Sequence, residues 1–111
     1  GQVMQQTLEV AMNGPWPIVQ LVTWNDYGEG TMIEPTVEFG YTFLEAVQEA
    51  RRRERGPEFR FTAADLRLPQ RLLEMRRAGR VPAAALDRIA RRLKEGACGE
   101  ARRELDGLAS P

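Results

Sequence analysis

Two carboxylates, Asp26 and Glu29, lie three residues apart in a stretch whose glycines, Gly28 and Gly30, allow a tight loop. We expect both side chains to face one cavity. Mutual repulsion would favour protonation of one of the two carboxylates, which leaves an acid and a base together near neutral pH. Such a pair suits hydrolysis of a glycosidic bond, although carboxylates at this spacing also occur on ordinary surface loops.

Four neighbouring side chains could hold a sugar. Trp24 and Tyr27 offer flat aromatic faces, Asn25 offers an amide to sugar hydroxyls, and Glu34 adds a carboxylate. Each also has a structural interpretation. Trp24 could end a buried strand and Asn25 could form a turn. Glu34 could favour the N-terminus of a following helix. Spacing alone leaves both interpretations open.

The elements that position this loop begin with a segment of strand composition. The run IVQLVTW is short, β-branched and mostly apolar on both alternating faces, which is typical of a strand in a parallel sheet covered on each side. We predict one strand near residues 17–24, without a partner strand in the chain. Its unpaired backbone should favour pairing between copies, as a homo-oligomer or a domain-swapped dimer.

Helices are predicted on both sides of this strand. Apolar residues at helical spacing, followed by Asn13 and Gly14, predict a helix over residues 2–12. Thr36 could cap a second helix over residues 37–53. The apolar stripe of the second helix consists of Phe39, Phe43, Leu44, Val47 and Ala50.

The remaining sequence predicts a helical tail after the linker RGPEFRF. Thr62 could cap the first tail helix, whose start Pro69 should delay, and Gly79 should end it. Pro82 suits the first turn of the next helix. Leu68, Leu72 and Met75 should face inward, and Leu86, Ile89 and Leu93 should lie on one side of the next helix. Gly96 to Gly99 should separate a last short helix that bears Ala101, Leu105 and Leu108. The predicted fold class is thus mainly α with one isolated β-strand.

Composition limits the other classes of function. The chain has 111 residues, 42% of them hydrophobic, which suits one ordered domain or a piece of a larger protein. It contains no His, and the single Cys98 has no neighbouring Cys, so we expect neither a metal site nor redox chemistry. No phosphate loop or dinucleotide fingerprint is present, so we predict no cofactor. The carboxylate loop could bind calcium only adventitiously.

The sequence leaves the compartment open. No run of about eighteen apolar residues exists, so we expect no membrane span. No charged-then-apolar leader opens the chain. Because the first residue is Gly1 rather than Met, a leader could have been removed from a parent protein.

Charge divides the chain into two halves. Residues 1–50 hold seven acidic and no basic residues, a formal charge of −7, whereas residues 51–111 hold all sixteen basic and nine acidic residues, +7. The arginines of the second half alternate with acids at helical spacing, and only Phe59 and Phe61 are aromatic there. We therefore expect a solvated helical face, or one that docks on the acidic half, rather than nucleic-acid binding.

The run TWNDYGEGTMIEPTVEFGYTFLE, which begins at Thr23, resembles the last-strand signature of glycoside hydrolase families 71 and 99. WNDYGE is similar to the family 71 form. EGTMIEP is similar to the family 99 form, whose Asn-Glu-Trp-His-Glu-Gly-Thr stretch carries two catalytic acids. Matching the stretches places those acids on Asp26 and Glu29, with Gly28 where family 99 has His. The resemblance covers roughly residues 2–54 and implies the penultimate helix, final strand and final helix of a (β/α)8 barrel.

The resemblance also implies a function for the parent protein, a bacterial-type carbohydrate-active hydrolase with a glycan substrate. Its site residues would be Asp26 and Glu29 for catalysis and Trp24, Asn25, Tyr27 and Glu34 for binding. A barrel needs about 250 residues, so residues 1–56 would be its last βα unit, 57–111 a helical tail, and the chain inactive alone. The alternative is a non-catalytic module that binds glycans through the aromatic loop, or proteins through the helices after residue 60.

Overall fold

The computed structural model describes residues 1–109 and is mainly helical, as predicted. It divides into unit 1, Gly1–Arg60, and unit 2, which begins at Phe61. Unit 1 contains the helices α1, Gln2–Asn13, and α2, Thr42–Arg55, with the short strands β1, Asn25–Asp26, and β2, Thr31–Met32. Unit 2 contains the helices α3, Leu68–Ala78, α4, Ala83–Lys94, and α5, Cys98–Ala109. Single turns of 3-10 helix cover Gly56–Glu58 and Asp65–Arg67.

In unit 1, α1 and α2 pack against each other, with Leu8 and Ala46 buried. The helix predicted over residues 2–12 is confirmed. The second helix starts five residues later than predicted, at Thr42. Thr36 does not cap it, because its hydroxyl accepts a hydrogen bond from the Phe39 amide at 2.9 Å and so closes a separate turn.

The predicted isolated strand at residues 17–24 is wrong. Within that segment, residues 18–23 form no helix, turn or bend and join no ladder, and the strands lie just after it, in a hairpin that pairs Asn25 with Met32 and Asp26 with Thr31. A parallel strand needs a second strand delivered by a long crossover, and the described residues contain no such strand. Antiparallel strands need only a tight turn, which Gly30 permits at φ 67°. The peptide bond between Val22 and Thr23 is cis.

Unit 2 has its own apolar core between its three helices. The buried residues of this core are Leu68, Leu72, Leu86, Ile89, Ala101 and Leu105, as predicted. Pro69 occupies the first turn of α3, and Gly79 ends that helix in the left-handed conformation at φ 65°. Leu108 lies in the last turn of α5, where 38% of its surface is exposed.

Ion pairs join the elements of unit 2. The buried Asp65 accepts a hydrogen bond from the Thr62 amide at 2.8 Å and another from Arg102. Further pairs link α3 with α5, α3 with α4, and α4 with α5: Arg71 with Asp106, Arg76 with Asp87, and Arg88 with Glu104. The alternation of arginines with acids in the sequence therefore produces contacts between the helices of this unit.

Candidate functional site

The acidic and aromatic residues singled out in the sequence lie on the hairpin of unit 1, residues 24–34. Two backbone contacts close its base, since the Trp24 carbonyl accepts hydrogen bonds from the amides of Ile33 and Glu34 at 2.9 and 3.0 Å. The Thr23 hydroxyl accepts a hydrogen bond from the Asp26 amide at 3.0 Å and donates to the Thr31 carbonyl. The hairpin thus has a fixed base on which its side chains are displayed.

Asp26 and Glu29 come together in one turn at the tip of this hairpin. The Oδ1 atom of Asp26 accepts a hydrogen bond from the Glu29 amide at 3.1 Å, which is the local bond that aspartates often make in turns. Both residues are exposed, and neither lines either of two grooves along the helices of unit 1. Asp26 and Glu29 therefore lie in one turn, and neither of these grooves is a cavity that their side chains share.

Tyr27 and Glu34 form a second polar contact across the hairpin. The Tyr27 phenol donates a hydrogen bond of 2.5 Å to Oε1 of Glu34. This bond raises the pKa of Tyr27, and lost hydration and the negative charges of Glu34 and Glu38 raise it further, because each favours the neutral phenol. Glu34 therefore orients the ring of Tyr27 instead of preparing a helix N-terminus, which lies further on at Thr42.

The two aromatic residues of the hairpin present open faces. Trp24 is 51% exposed and Tyr27 is 55% exposed, so Trp24 does not end a buried strand. Asn25 forms part of β1, and its carbonyl accepts a hydrogen bond from the Tyr27 amide at 3.1 Å. The structure thus places the six predicted residues on one exposed hairpin, with aromatic and carboxylate groups available to a ligand.

Sequence reasoning missed a groove between α1 and α2. It has a volume of about 550 Å³ and an apolar floor that includes Leu8 and Ala46. Its rim includes Glu49, whose pKa is lowered to about 2 by hydrogen bonds from Arg52 and Arg53. The glutamines at the start of α1, Gln2, Gln5 and Gln6, also line the groove and were the sequence signal for a polar rim.

The part of the chain that the structure describes contains neither a helix that could span a membrane nor a cluster of potential metal ligands. No helix within residues 1–109 has the length and apolar character needed to cross a membrane. No group of three or more potential metal-binding side chains occurs there either.

Comparisons with protein-family models, with curated proteins and with solved structures give no match for this chain. The resemblance to glycoside hydrolases therefore depends on the residues of the hairpin motif themselves.

The contact between Tyr27 and Glu34 gives a prediction for titration. Replacing Glu34 with Gln removes the charged acceptor, so the pKa of Tyr27 should fall toward that of an ordinary phenol. An ultraviolet-absorbance titration of the Tyr27 phenol, read in a Tyr41→Phe background, measures this shift. Glu38→Gln is the matched control and should lower the Tyr27 pKa less, because Glu38 acts only through its charge. Equal shifts in the two variants would contradict the hydrogen bond.

Proposed function

We propose that this chain is the carboxy-terminal part of a carbohydrate-active hydrolase, to which it contributes Asp26 and Glu29 as an acid and base pair. The supporting observation is the hydrogen bond between Asp26 and the Glu29 amide, which holds the two acids of the glycoside-hydrolase-like motif in one turn. The surrounding Trp24 and Tyr27 add the exposed aromatic faces that a sugar ring needs.

Each acid has a defined task in this proposal. One carboxylic acid gives a proton to the oxygen of the glycosidic bond, while the other carboxylate attacks the sugar or activates a water molecule. Tyr27, held by Glu34, and Trp24 would orient the sugar ring beside the two acids. The amide of Asn25 would bind a sugar hydroxyl.

The exposure of the hairpin explains why further parts of the parent are required. Asp26 and Glu29 are exposed to solvent, and a single hairpin cannot surround a sugar or exclude competing water. In the proposed parent, other loops would complete the cleft. We therefore expect no glycan hydrolysis by the 111-residue chain alone.

A second candidate function is glycan binding without catalysis. The observation that favours it is the openness of Trp24 and Tyr27, beside carboxylates that can accept hydrogen bonds from sugar hydroxyls. This arrangement needs no enclosed cleft and would operate in the chain as it stands. The two functions can be distinguished by measurement, because hydrolysis by the parent depends on the acid pair, Asp26 and Glu29, as a source of catalysis.

Binding by the chain is tested with α-linked gluco- and manno-oligosaccharides in a calorimetric titration. Trp24→Ala should weaken binding by roughly three- to tenfold, the usual contribution of one aromatic face. Phe39→Ala is the matched control because Phe39 is also 51% exposed but lies outside the hairpin. This variant should bind the oligosaccharides with the same affinity as the unsubstituted chain. Equal affinity in both variants would exclude the hairpin as the sugar site.

A further inference from the structure

The extended segment, residues 16–24, has one open face. Ile18 is 81% exposed and Val22 is 62% exposed, whereas Val19 and Thr23, which alternate with them, are half-buried. Trp16, at 64% exposed, and Trp24 are also exposed, next to the bends at Pro17 and Trp24, and Trp16 additionally lines the groove along the helices. Side chains of extended backbone alternate between two faces, so the segment is apolar on a face that nothing in the described chain covers.

The opposite face of the extended segment is anchored on the helices of unit 1. Val19 and Leu21 line a groove of about 280 Å³ together with Leu8 of α1 and Val47 of α2. Val19 and Leu21 are therefore on the side of the segment that faces this groove. The exposure of Ile18 and Val22 therefore follows from the position of the segment on its helices.

The backbone of the segment is also available for pairing. Outside helices and strands, no backbone hydrogen bond to another described residue involves residues 18–22. Extended backbone with free donors and acceptors is a template for an added strand. The segment combines this edge with β-branched side chains, which suit strand pairing.

The sequence of the segment is close to a palindrome around Gln20. Reading outward from Gln20 in WPIVQLVTW, Val19 corresponds to Leu21 and Ile18 corresponds to Val22. The next positions are Pro17 and Thr23, and the segment ends in Trp16 and Trp24. In an antiparallel pair centred on Gln20, every residue except Pro17 and Thr23 would thus face a close equivalent across the interface.

We propose that a second copy of this chain covers the extended segment, by antiparallel pairing about a two-fold axis at Gln20. Ile18 then lies opposite Val22 of the second copy, and Trp16 lies opposite Trp24. The two Gln20 amides meet on the axis, where each can donate to and accept from the other. A two-fold axis makes the same surface serve both copies, which is the commonest symmetry of homo-oligomers.

Charge and size both favour a second copy as the occupant. Residues 10–25 contain no Asp, Glu, Lys or Arg, so self-pairing brings no like charges together, although the surrounding unit is rich in acids. The four open side chains expose roughly 500 Å² per copy, given the usual area of aromatic and aliphatic residues. Two copies then contribute roughly 1,000 Å², the lower end of specific interfaces.

The pairing does not depend on the proposed function. Its central contacts, Ile18 with Val22 and Gln20 with Gln20, lie outside the acidic hairpin. A neighbouring strand of a longer parent would compete for the same edge, so the experiment uses the 111-residue chain itself.

Sedimentation measures the association directly. The chain should form dimers at high protein concentration, and Ile18→Lys with Val22→Lys should weaken the dimer by roughly a hundredfold, because like charges then lie opposite each other. A second variant carries both Ile18→Glu and Val22→Glu. Mixing the Lys variant with this Glu variant should restore a dimer of the two different chains. Val37→Lys is the matched control, since Val37 is fully exposed elsewhere in unit 1, and it should not change the dimer.

A disulfide introduced between two copies of the chain tests the position of the two-fold axis. In a Cys98→Ala background, Gln20→Cys should join two copies under mild oxidation, since residues paired across an antiparallel axis bring their Cβ atoms close. Val37→Cys is the control and should cross-link much more slowly. A chain that stays monomeric at high concentration would overturn the proposal. So would charge variants that dimerise unchanged, or a Gln20→Cys variant that cross-links no faster than Val37→Cys.

Discussion

Replacing Asp26 with Asn, or Glu29 with Gln, in the complete parent enzyme should lower its rate of glycosidic cleavage by about a hundredfold or more. That is the usual contribution of a positioned acid or base. Each change removes one carboxyl group and keeps the size of the side chain. Folding should therefore be nearly intact, because both residues are exposed on the hairpin and neither supports an apolar core.

The measurement is the rate of sugar release by each variant at saturating glycan, with circular dichroism to show that the fold is kept. Glu58→Gln is the matched control, since Glu58 is an exposed acid in the turn after α2, away from the hairpin. Its rate should equal that of the unchanged enzyme. If both hairpin substitutions also left the rate unchanged, Asp26 and Glu29 would be ordinary residues of a surface turn.

The helices could be predicted from the sequence because their signals are local. Apolar spacing located α1 and the three helices of unit 2, and Gly79 gave the end of α3 through its left-handed conformation. The core of unit 2 followed from the same spacing. The exposure of Leu108 could not be predicted in this way, because a periodic pattern does not show that the last turn of α5 leaves the core.

The strand prediction was wrong because sheet formation depends on partners that composition does not show. The segment IVQLVTW has the residues of a buried parallel strand, but no described residues offer it a parallel neighbour. The chain instead pairs Asn25 and Asp26 with Thr31 and Met32, and composition would not select the first two as strand residues. Their pairing follows from the tight turn between them.

The sequence indicated which residues form the candidate site, but it indicated less about the geometry of those residues. The spacing of Asp26 and Glu29 agrees with their place in one turn, where Oδ1 of Asp26 accepts a hydrogen bond from the Glu29 amide, but spacing does not give the directions of their side chains. The hydrogen bond from Tyr27 to Glu34 joins residues seven positions apart, and it depends on the hairpin that the sequence did not reveal. The open faces of the aromatics likewise depend on the path of the chain after Thr23.

The second large effect concerns the core of unit 2. Ile89 is completely buried between the three helices of this unit, so Ile89→Ala removes apolar contacts on every side and leaves a cavity. Such truncations cost about 2–5 kcal/mol. A unit of this size has a free energy of unfolding of only a few kcal/mol, at roughly 0.05–0.15 kcal/mol per residue. The substitution should therefore remove most of the stability of unit 2.

Residue-resolved amide hydrogen exchange measures the loss within unit 2. A loss of at least about 2 kcal/mol corresponds to roughly 30-fold faster exchange of the protected amides in α3, α4 and α5. Leu73→Ala is the matched control, because Leu73 lies on α3 but is 46% exposed, and its exchange rates should change only a few-fold. Tryptophan fluorescence reports unit 1 separately, since Trp16 and Trp24 both lie there. Similar exchange rates in the two variants would mean that Ile89 is not at the centre of the core, because a buried branched side chain cannot be truncated there without loss.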